Sequence, residues 1–164
     1  DVPCFRGSLE DVLDRYYKTS LYFDKPDHIV RLTGDNPLID PEIIDKVIKF
    51  HLDNNYDYVS NTAENNFPVG LDVSVFRFQA LKLSWEKACQ PSEREHVNPF
   101  ILGHPEIFRI GLYREKVKYP CLRWTVDTEE DFKYVKNIFE ALYPQNPNFG
   151  MNDVINFLEK HSNP

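Results

Sequence analysis

The chain has 164 residues, 41% of them hydrophobic and 14% aromatic, enough for the core of one globular domain. A net charge of -7, from 26 acidic against 19 basic side chains, has the wrong sign for wrapping a nucleic-acid backbone, and Lys and Arg are scattered rather than gathered into a patch. Cys4, Cys89 and Cys121 are odd in number and in no CxxC spacing, which argues against a disulfide framework and a zinc site, and no apolar run reaches the length of a membrane span. A cytoplasmic protein with neither nucleic acid nor membrane as partner is expected.

In chain order, DVPCF reads like a strand already in progress, without a start methionine, so part of a longer chain is expected. Ser8 and Asp11 resemble a capping box before a helix carrying Leu9, Val12, Leu13, Tyr16 and Tyr17 at helical spacing. After Pro26, His28 to Thr33 predicts a short buried strand ended by Gly34. Asp40 and Pro41 supply an N-cap and a proline at the first helical position for a helix through Ile43, Ile44, Val47 and Ile48 to about Asn54. Tyr56 to Asn61 and Leu71 to Phe78 read as strands, with a polar loop through Gly70 between them. Phe78 to Cys89 reads as a helix. Ser92 with Glu95 predicts another capped helix, which Pro99 must end or bend.

Ile107 to Tyr113 and Cys121 to Val126 are strand-like and predict a hairpin around the charged stretch REKVKYP. From Thr128 an amphipathic helix carries Phe132, Val135, Ile138, Phe139 and Leu142, and a last short helix spans Asn152 to His161. Alternating strands and helices of this kind predict an α/β layer structure on a mostly parallel sheet, in one domain over residues 1–164.

In such sheets ligands gather where strands end at their carboxyl edge. In LTGDNPLID, Gly34 is expected to let the chain turn sharply, Asp35 to project over the edge, and Pro37 to restrict the loop. A carboxylate held there suits Mg2+; a turn in which Asp35 bonds only to nearby amides is the alternative. RWTVDTEEDF also carries a strand into an aspartate and then a helix, so Asp127 sits at a second such edge, unless it is the N-cap of that helix with Glu130 completing a box. Two carboxylates from separate strands are suited to grip one divalent ion.

The segments FRGSLEDVLDRYY, TGDNPLIDPEIIDKVI, NNYDYVSNT, GLDVSVF, SEREHVNPFI and RWTVDTEEDF, in this order, resemble the spore-coat polysaccharide biosynthesis branch of the cytidylyltransferases, related to the enzymes that make CMP-activated acidic sugars. The resemblance runs from about Phe5 to Tyr143. It implies a three-layer Rossmann-like α/β fold of the nucleotidyltransferase type, with a mixed, mostly parallel sheet, N-terminally incomplete. It implies a reaction in which a sugar oxygen attacks the α-phosphate of CTP and pyrophosphate leaves, with Mg2+ as cofactor and CTP and a sugar or sugar acid as partners.

By the same resemblance Asp35 and Asp127 are metal ligands, Gly34, Asn36, Pro37 and Asn61 belong to the substrate site, and Asp72 in GLDV faces the sugar. Glu93, Arg94 and His96 lie on about one helical turn, where Arg94 or His96 would meet an anionic sugar or phosphate; a self-paired charge cluster is the alternative. Arg15 is expected near the nucleotide, unless Asp11 or Asp14 pairs with it. Arg123, four residues before Asp127, lies on the same side of the strand, to neutralise phosphate charge or to pair with an acid.

Relatives of the resembled branch open with a strand and a loop of the type ARxGSxRLPxK that holds the triphosphate and base, and GSLED lacks its basic residues. The chain is therefore expected to be a fragment of a larger enzyme or a form that has lost the activity. A non-catalytic sugar-binding or assembly module is the alternative from another class. A GT-A-like glycosyltransferase is a third, though no DxD stands at a strand end. A homodimer through an arm at about 107–119 is also expected, because a hairpin with an apolar face needs cover.

Overall fold

The structure is a computed structural model that describes residues 2–62, 66–115 and 122–161. These sort into two compact units: one holds the residues up to Arg31 with Phe50–Val59 and Ser74–Gly111, the other Leu32–Lys49, Ser60–Val73 and those from Leu112 onward. Where composition reads as a single domain, each unit has its own interior.

Among the described residues helices and strands mix as expected for an α/β chain: α1 (Val12–Tyr22), β1 (His28–Arg31), α2 (Pro41–Asn54), β2 (Tyr58–Ser60), β3 (Ser74–Arg77), α3 (Phe78–Lys87), α4 (Pro91–His96), α5 (Pro99–Gly103), β4 (Ile110–Leu112), α6 (Glu129–Leu142) and α7 (Met151–His161). The strands form one sheet in the order β1-β3-β2-β4. β1 and β3 run antiparallel, with His28 opposite Arg77 and Arg31 opposite Ser74. The Arg77 N–H donates to the Asp57 carbonyl and the Asn61 N–H to Val73, so β3 also opposes β2. Asp57 donates to Arg109 and Tyr113 to Ser60, which makes β2 and β4 parallel. Three strands thus share a direction and β3 runs against them, a mixed sheet.

Several boundaries differ from expectation for local reasons. Helix α1 starts one turn later than its apolar spacing suggests, because Asp11 rather than Ser8 is the cap, its carboxylate accepting from the Asp14 N–H at 2.9 Å. Helix α4 is capped by Gln90 with Glu93 completing the box, not by Ser92 with Glu95, since Pro91 takes the first helical position. It stops at His96 in a turn centred on Val97, a β-branched residue at φ 73°, where the Asn98 N–H bonds the His96 carbonyl at 2.9 Å; this is the strained form of the three-residue turn. β1 is only half-buried, as an edge strand among the described residues. The expected hairpin is replaced, among the described residues, by two separate pairings: β4 lies beside β2, while Leu122 and Trp124 bond to Val69. Residues 116–121, part of the expected arm, lie outside the described residues.

In the first unit, Leu13, Tyr58, Phe76, Leu81, Val97, Ile101 and Phe108 form the buried cluster. Tyr17 stacks on Trp85 at 4.3 Å, and the Trp85 indole donates to Asp14, which binds α1 to α3. In the second unit, Leu38, Ile43, Val47, Leu71, Val73, Trp124, Val135 and Ile138 are buried. Asp40 is the polar centre of this unit: one carboxylate oxygen accepts from the Glu42 N–H at 2.8 Å at the start of α2, the other from Met151 at 2.7 Å at the start of α7. Gly150 is needed beside it, because a Cβ there would lie 2.6 Å from the Asp40 carboxylate.

Two stability predictions follow from these buried polar groups. Asp40→Ala removes a helix cap and strands the buried Met151 N–H, so chemical denaturation is expected to show a loss of about 2–4 kcal/mol, with Asp40→Asn recovering part of it. His51 is fully buried, its Nε2 3.0 Å from His28 Nδ1. Burial first, then the neighbouring His28 and Arg77, hold its pKa down to about 4, against a smaller upward pull from Asp57. The unfolded ring takes up a proton near 6.5, so stability is full above that pH and falls as pH drops from 6.5 towards 4. Urea midpoints across this window are expected to slope down in the wild type and to flatten in His51→Gln.

Candidate functional site

The turn after β1 is a double one. The Asn36 N–H bonds the Thr33 carbonyl at 3.3 Å, placing Gly34 and Asp35 at its centre, and the Ile39 N–H bonds Asn36 at 3.3 Å, with Pro37 at the position proline favours. The chain does turn sharply at Gly34, as expected, but the turn does not require a glycine there. The φ of Gly34 is not in the left-handed range, and a Cβ would meet nothing within 4 Å. Gly34 and Pro37 line a cavity of about 460 Å3 together with Val126, Phe132, Val135 and Phe139. Asp35 is exposed, and its carboxylate has no hydrogen-bond or ion-pair partner among the described residues, so the turn-stapling alternative does not hold. Asn36 is 5% exposed, and both polar atoms of its side-chain amide lack a partner among the described residues.

The second acidic segment is tied directly to this turn: the Val126 N–H donates to the Asp35 carbonyl at 2.9 Å. Asp35 and the residue before Asp127 are thereby backbone neighbours. Arg123 makes a parallel bridge with Val69 rather than continuing a full strand. The Trp124 N–H bonds the Val69 carbonyl at 2.7 Å, and Val69 donates to Leu122 at 2.9 Å. Gly70, at φ 108°, passes so close that a Cβ would lie 2.9 Å from the Trp124 carbonyl carbon.

Asp127 is not the cap of α6. Thr128 is, and Asp131 rather than Glu130 completes the box. The Asp131 carboxylate accepts from the N–H groups of Asp127 at 3.1 Å and Thr128 at 2.9 Å, and from Arg123 at 2.9 Å. Those backbone donors, followed by Thr128 and Arg123, hold its pKa down to about 2. The Asp127 carboxylate is 58% exposed and pairs with the other arm of Arg123. Sequence reasoning missed Asp131, although Thr128 with an acid three residues on is the ordinary signature of a capped helix start.

The remaining expected residues are largely spent on structure. Asn61 is 1% exposed; its amide donates to the Leu71 carbonyl at 2.7 Å and accepts from the Val73 N–H at 2.8 Å. Direct substrate contact does not fit it, and it clamps the segment that carries Asp72. Asp72 itself is half-buried and engaged. In the first unit, Glu93 accepts from the N–H groups of Cys89 and Gln90, both at 3.0 Å. Arg94 binds Asp11 at 2.6 Å and the Trp85 carbonyl at 2.8 Å, so it joins α4 to the start of α1 instead of pairing within its own cluster. Arg15 donates to the Ser8 carbonyl at 2.8 Å, not to Asp11 or Asp14. His96 is exposed, next to the strained Val97.

Two oxygen-bearing, exposed side chains on backbone-tied segments fit a hard divalent cation such as Mg2+, which is held by one or two carboxylates and completes its shell with water and phosphate oxygens. Among the described residues no group of three or more acidic, His or Cys side chains could hold a metal unaided. No helix among them is long and apolar enough to cross a membrane.

A family model described as cytidylyltransferase matches residues 1–156. The chain belongs to the cytidylyltransferase family. It is 40% identical over 165 residues to an uncharacterised protein of Methanocaldococcus jannaschii, covering 98% of this chain and 64% of that one. It is 35% identical over 160 residues to the spore coat polysaccharide biosynthesis protein SpsF of Bacillus subtilis, covering 96% and 65%. Among solved structures, a cytidylyltransferase from Leptospira borgpetersenii superposes with a TM-score of 0.89 at 31% identity, over 96% of this chain and 66% of that one. A CMP:2-keto-3-deoxy-manno-octonic acid synthetase complexed with CTP superposes with a TM-score of 0.55 at 15% identity, over 79% and 68%, a likeness of fold. The chain thus spans just under two thirds of the length of both curated relatives.

The two glycines of this site are expected to separate in mutation. Gly34→Ala adds a methyl to open space and is expected to change stability by less than about 0.5 kcal/mol. Gly70→Ala forces a positive φ and a clash with Trp124, and is expected to cost about 1–3 kcal/mol. Thermal unfolding of the two variants beside the wild type measures both.

Proposed function

We propose that the protein carrying this chain is a cytidylyltransferase that activates a sugar or sugar acid with CTP for polysaccharide or glycan synthesis. The observation that carries the reading is the pair Asp35 and Asp127, both exposed, on turns joined by the Asp35–Val126 hydrogen bond. Membership of the cytidylyltransferase family supports it, as does the CTP bound in the structurally similar synthetase. The similarity to SpsF supports the polysaccharide context.

In the reaction a hydroxyl oxygen of the sugar attacks the α-phosphorus of CTP, the bond to the bridging oxygen breaks, pyrophosphate departs, and the hydroxyl proton passes to solvent. Such transfer asks the protein chiefly for positioning and charge neutralisation. Asp35 and Asp127 would hold Mg2+, which would supply Lewis-acid stabilisation of the charge on the phosphates. Arg123 adds a cationic fork beside Asp127 that suits phosphate oxygens. Asn36 offers a buried amide whose donors and acceptor have no partner among the described residues, suited to a sugar or ribose hydroxyl. Gly34 and Pro37 form one wall of the adjoining cavity. Asp72 serves the sugar side, held by the Asn61 clamp.

Calorimetric titration with CTP, with and without Mg2+, tests the reading. Mg2+-dependent binding is expected in this chain and is expected to be lost in Asp35→Ala. CTP binding that is equally tight without Mg2+, or unchanged in Asp35→Ala, overturns the reading of Asp35 as a metal ligand, and no binding at all means that the nucleotide site needs segments of the longer relatives that this chain does not span.

A further inference from the structure

Arg123 divides its guanidinium unequally. One arm reaches Asp131 at 2.9 Å and the other reaches Asp127. Asp131 is fixed: it also receives the backbone N–H groups of Asp127 and Thr128 and is itself partly covered, with 24% of its side chain exposed. The Asp127 carboxylate is 58% exposed, and Arg123 is its one partner among the described residues. Of the two contacts of the fork, the one to Asp127 breaks at the lower cost. Breaking it leaves the guanidinium tethered by Asp131, while the backbone of Asp127 stays anchored through its N–H.

We propose that Arg123 is an internal counter-ion that occupies the Asp127 carboxylate in the cation-free protein, is displaced from it when a divalent cation binds, and is then presented by Asp131 to the phosphate oxygens of the ligand. The inference rests on the reading of Asp35 and Asp127 as the cation site. It assigns Asp131 as a positioning residue and makes Arg123 act in opposite directions on two ligands. Arg123 competes with the cation for Asp127, and once displaced it assists a polyphosphate. A purely structural ion pair would do neither, since its loss would alter folding without moving cation and phosphate affinity in opposite senses.

The test uses Mn2+ alone, followed by the loss of the free-ion paramagnetic resonance signal, and pyrophosphate titrated by calorimetry at saturating Mg2+. Arg123→Gln is expected to bind Mn2+ about two- to fivefold more tightly than wild type, the range for an exposed ion pair, and to bind pyrophosphate about tenfold more weakly, the loss of a charged hydrogen-bonding group. Lys133→Gln removes the same charge from the exposed Lys133–Glu129 pair on α6 and is expected to leave both affinities within about twofold of wild type. Arg123→Lys, which keeps the charge, is expected to restore Mn2+ affinity to near the wild-type value and provides a second variant if the glutamine form does not fold. Equal Mn2+ affinity in wild type, Arg123→Gln and Arg123→Lys, or an equal gain in Lys133→Gln, overturns the counter-ion while leaving the cation site standing. No Mn2+ binding in any of them overturns the cation site and the counter-ion together.

Discussion

The Val126 N–H to Asp35 carbonyl bond is the constraint on which the candidate site depends. It joins two turns that are distant in sequence, and it does so through backbone groups, so neither aspartate has to spend its carboxylate on holding the turns together. The same frame continues outward. Trp124 and Leu122 bond to Val69, Gly70 lies against the Trp124 carbonyl, and Asn61 clamps Leu71 and Val73 on the other side of Asp72. Four segments that carry the family resemblance are thus linked in one series of hydrogen bonds, and Asp35 and Asp127 are left exposed.

This frame separates carboxylates by what their oxygens already hold. Asp40, Asp131 and Glu93 each accept two backbone N–H groups, and Asp11 accepts one together with a guanidinium. They do the work of caps, and their removal would leave donors without partners. Asp35 holds no described partner, and Asp127 holds only an arginine. A cation competes poorly for an oxygen that closes a helix end and well for one facing water. The acid count of the chain says nothing of this division; the hydrogen bonds do.

The sequence was most legible where one residue has one local consequence. Asp40 and Pro41 open α2 as read, Phe78 begins α3, and Thr128 leads into α6, because caps and apolar periodicity act within one or two turns of chain. Legibility fell where the outcome depends on a distant partner. Ser8, Ser92 and Asp127 all match a capping pattern by spacing, yet Asp11, Gln90 and Thr128 take the role, since competing caps a few residues apart are decided by the packing of the helix they begin. The segments around 110 and 123 share a strand-like composition that fits a hairpin, but each finds its own partner, β2 for one and Val69 for the other. Nothing in a single strand names the strand it will lie beside.

For the candidate site, residue type picked out the candidates, and only geometry told which of them are already committed to the fold. Asp35 and Asp127 stand out by motif and stay exposed. Asn61, Glu93 and Arg94 stand out equally by motif and prove to be committed to the fold, in the first case by two bonds from its side-chain amide to the backbone of the very stretch expected to face the sugar. The glycines show the same ambiguity in reverse. Gly70 is glycine because the Trp124 backbone and a φ of 108° leave no room for a side chain, a requirement of the fold. Gly34 has neither constraint, with an ordinary φ and open space where its side chain would be. Gly34 thus stands at the lip of a cavity, beside a carboxylate with no partner among the described residues, and neither its φ nor the packing around it calls for a glycine.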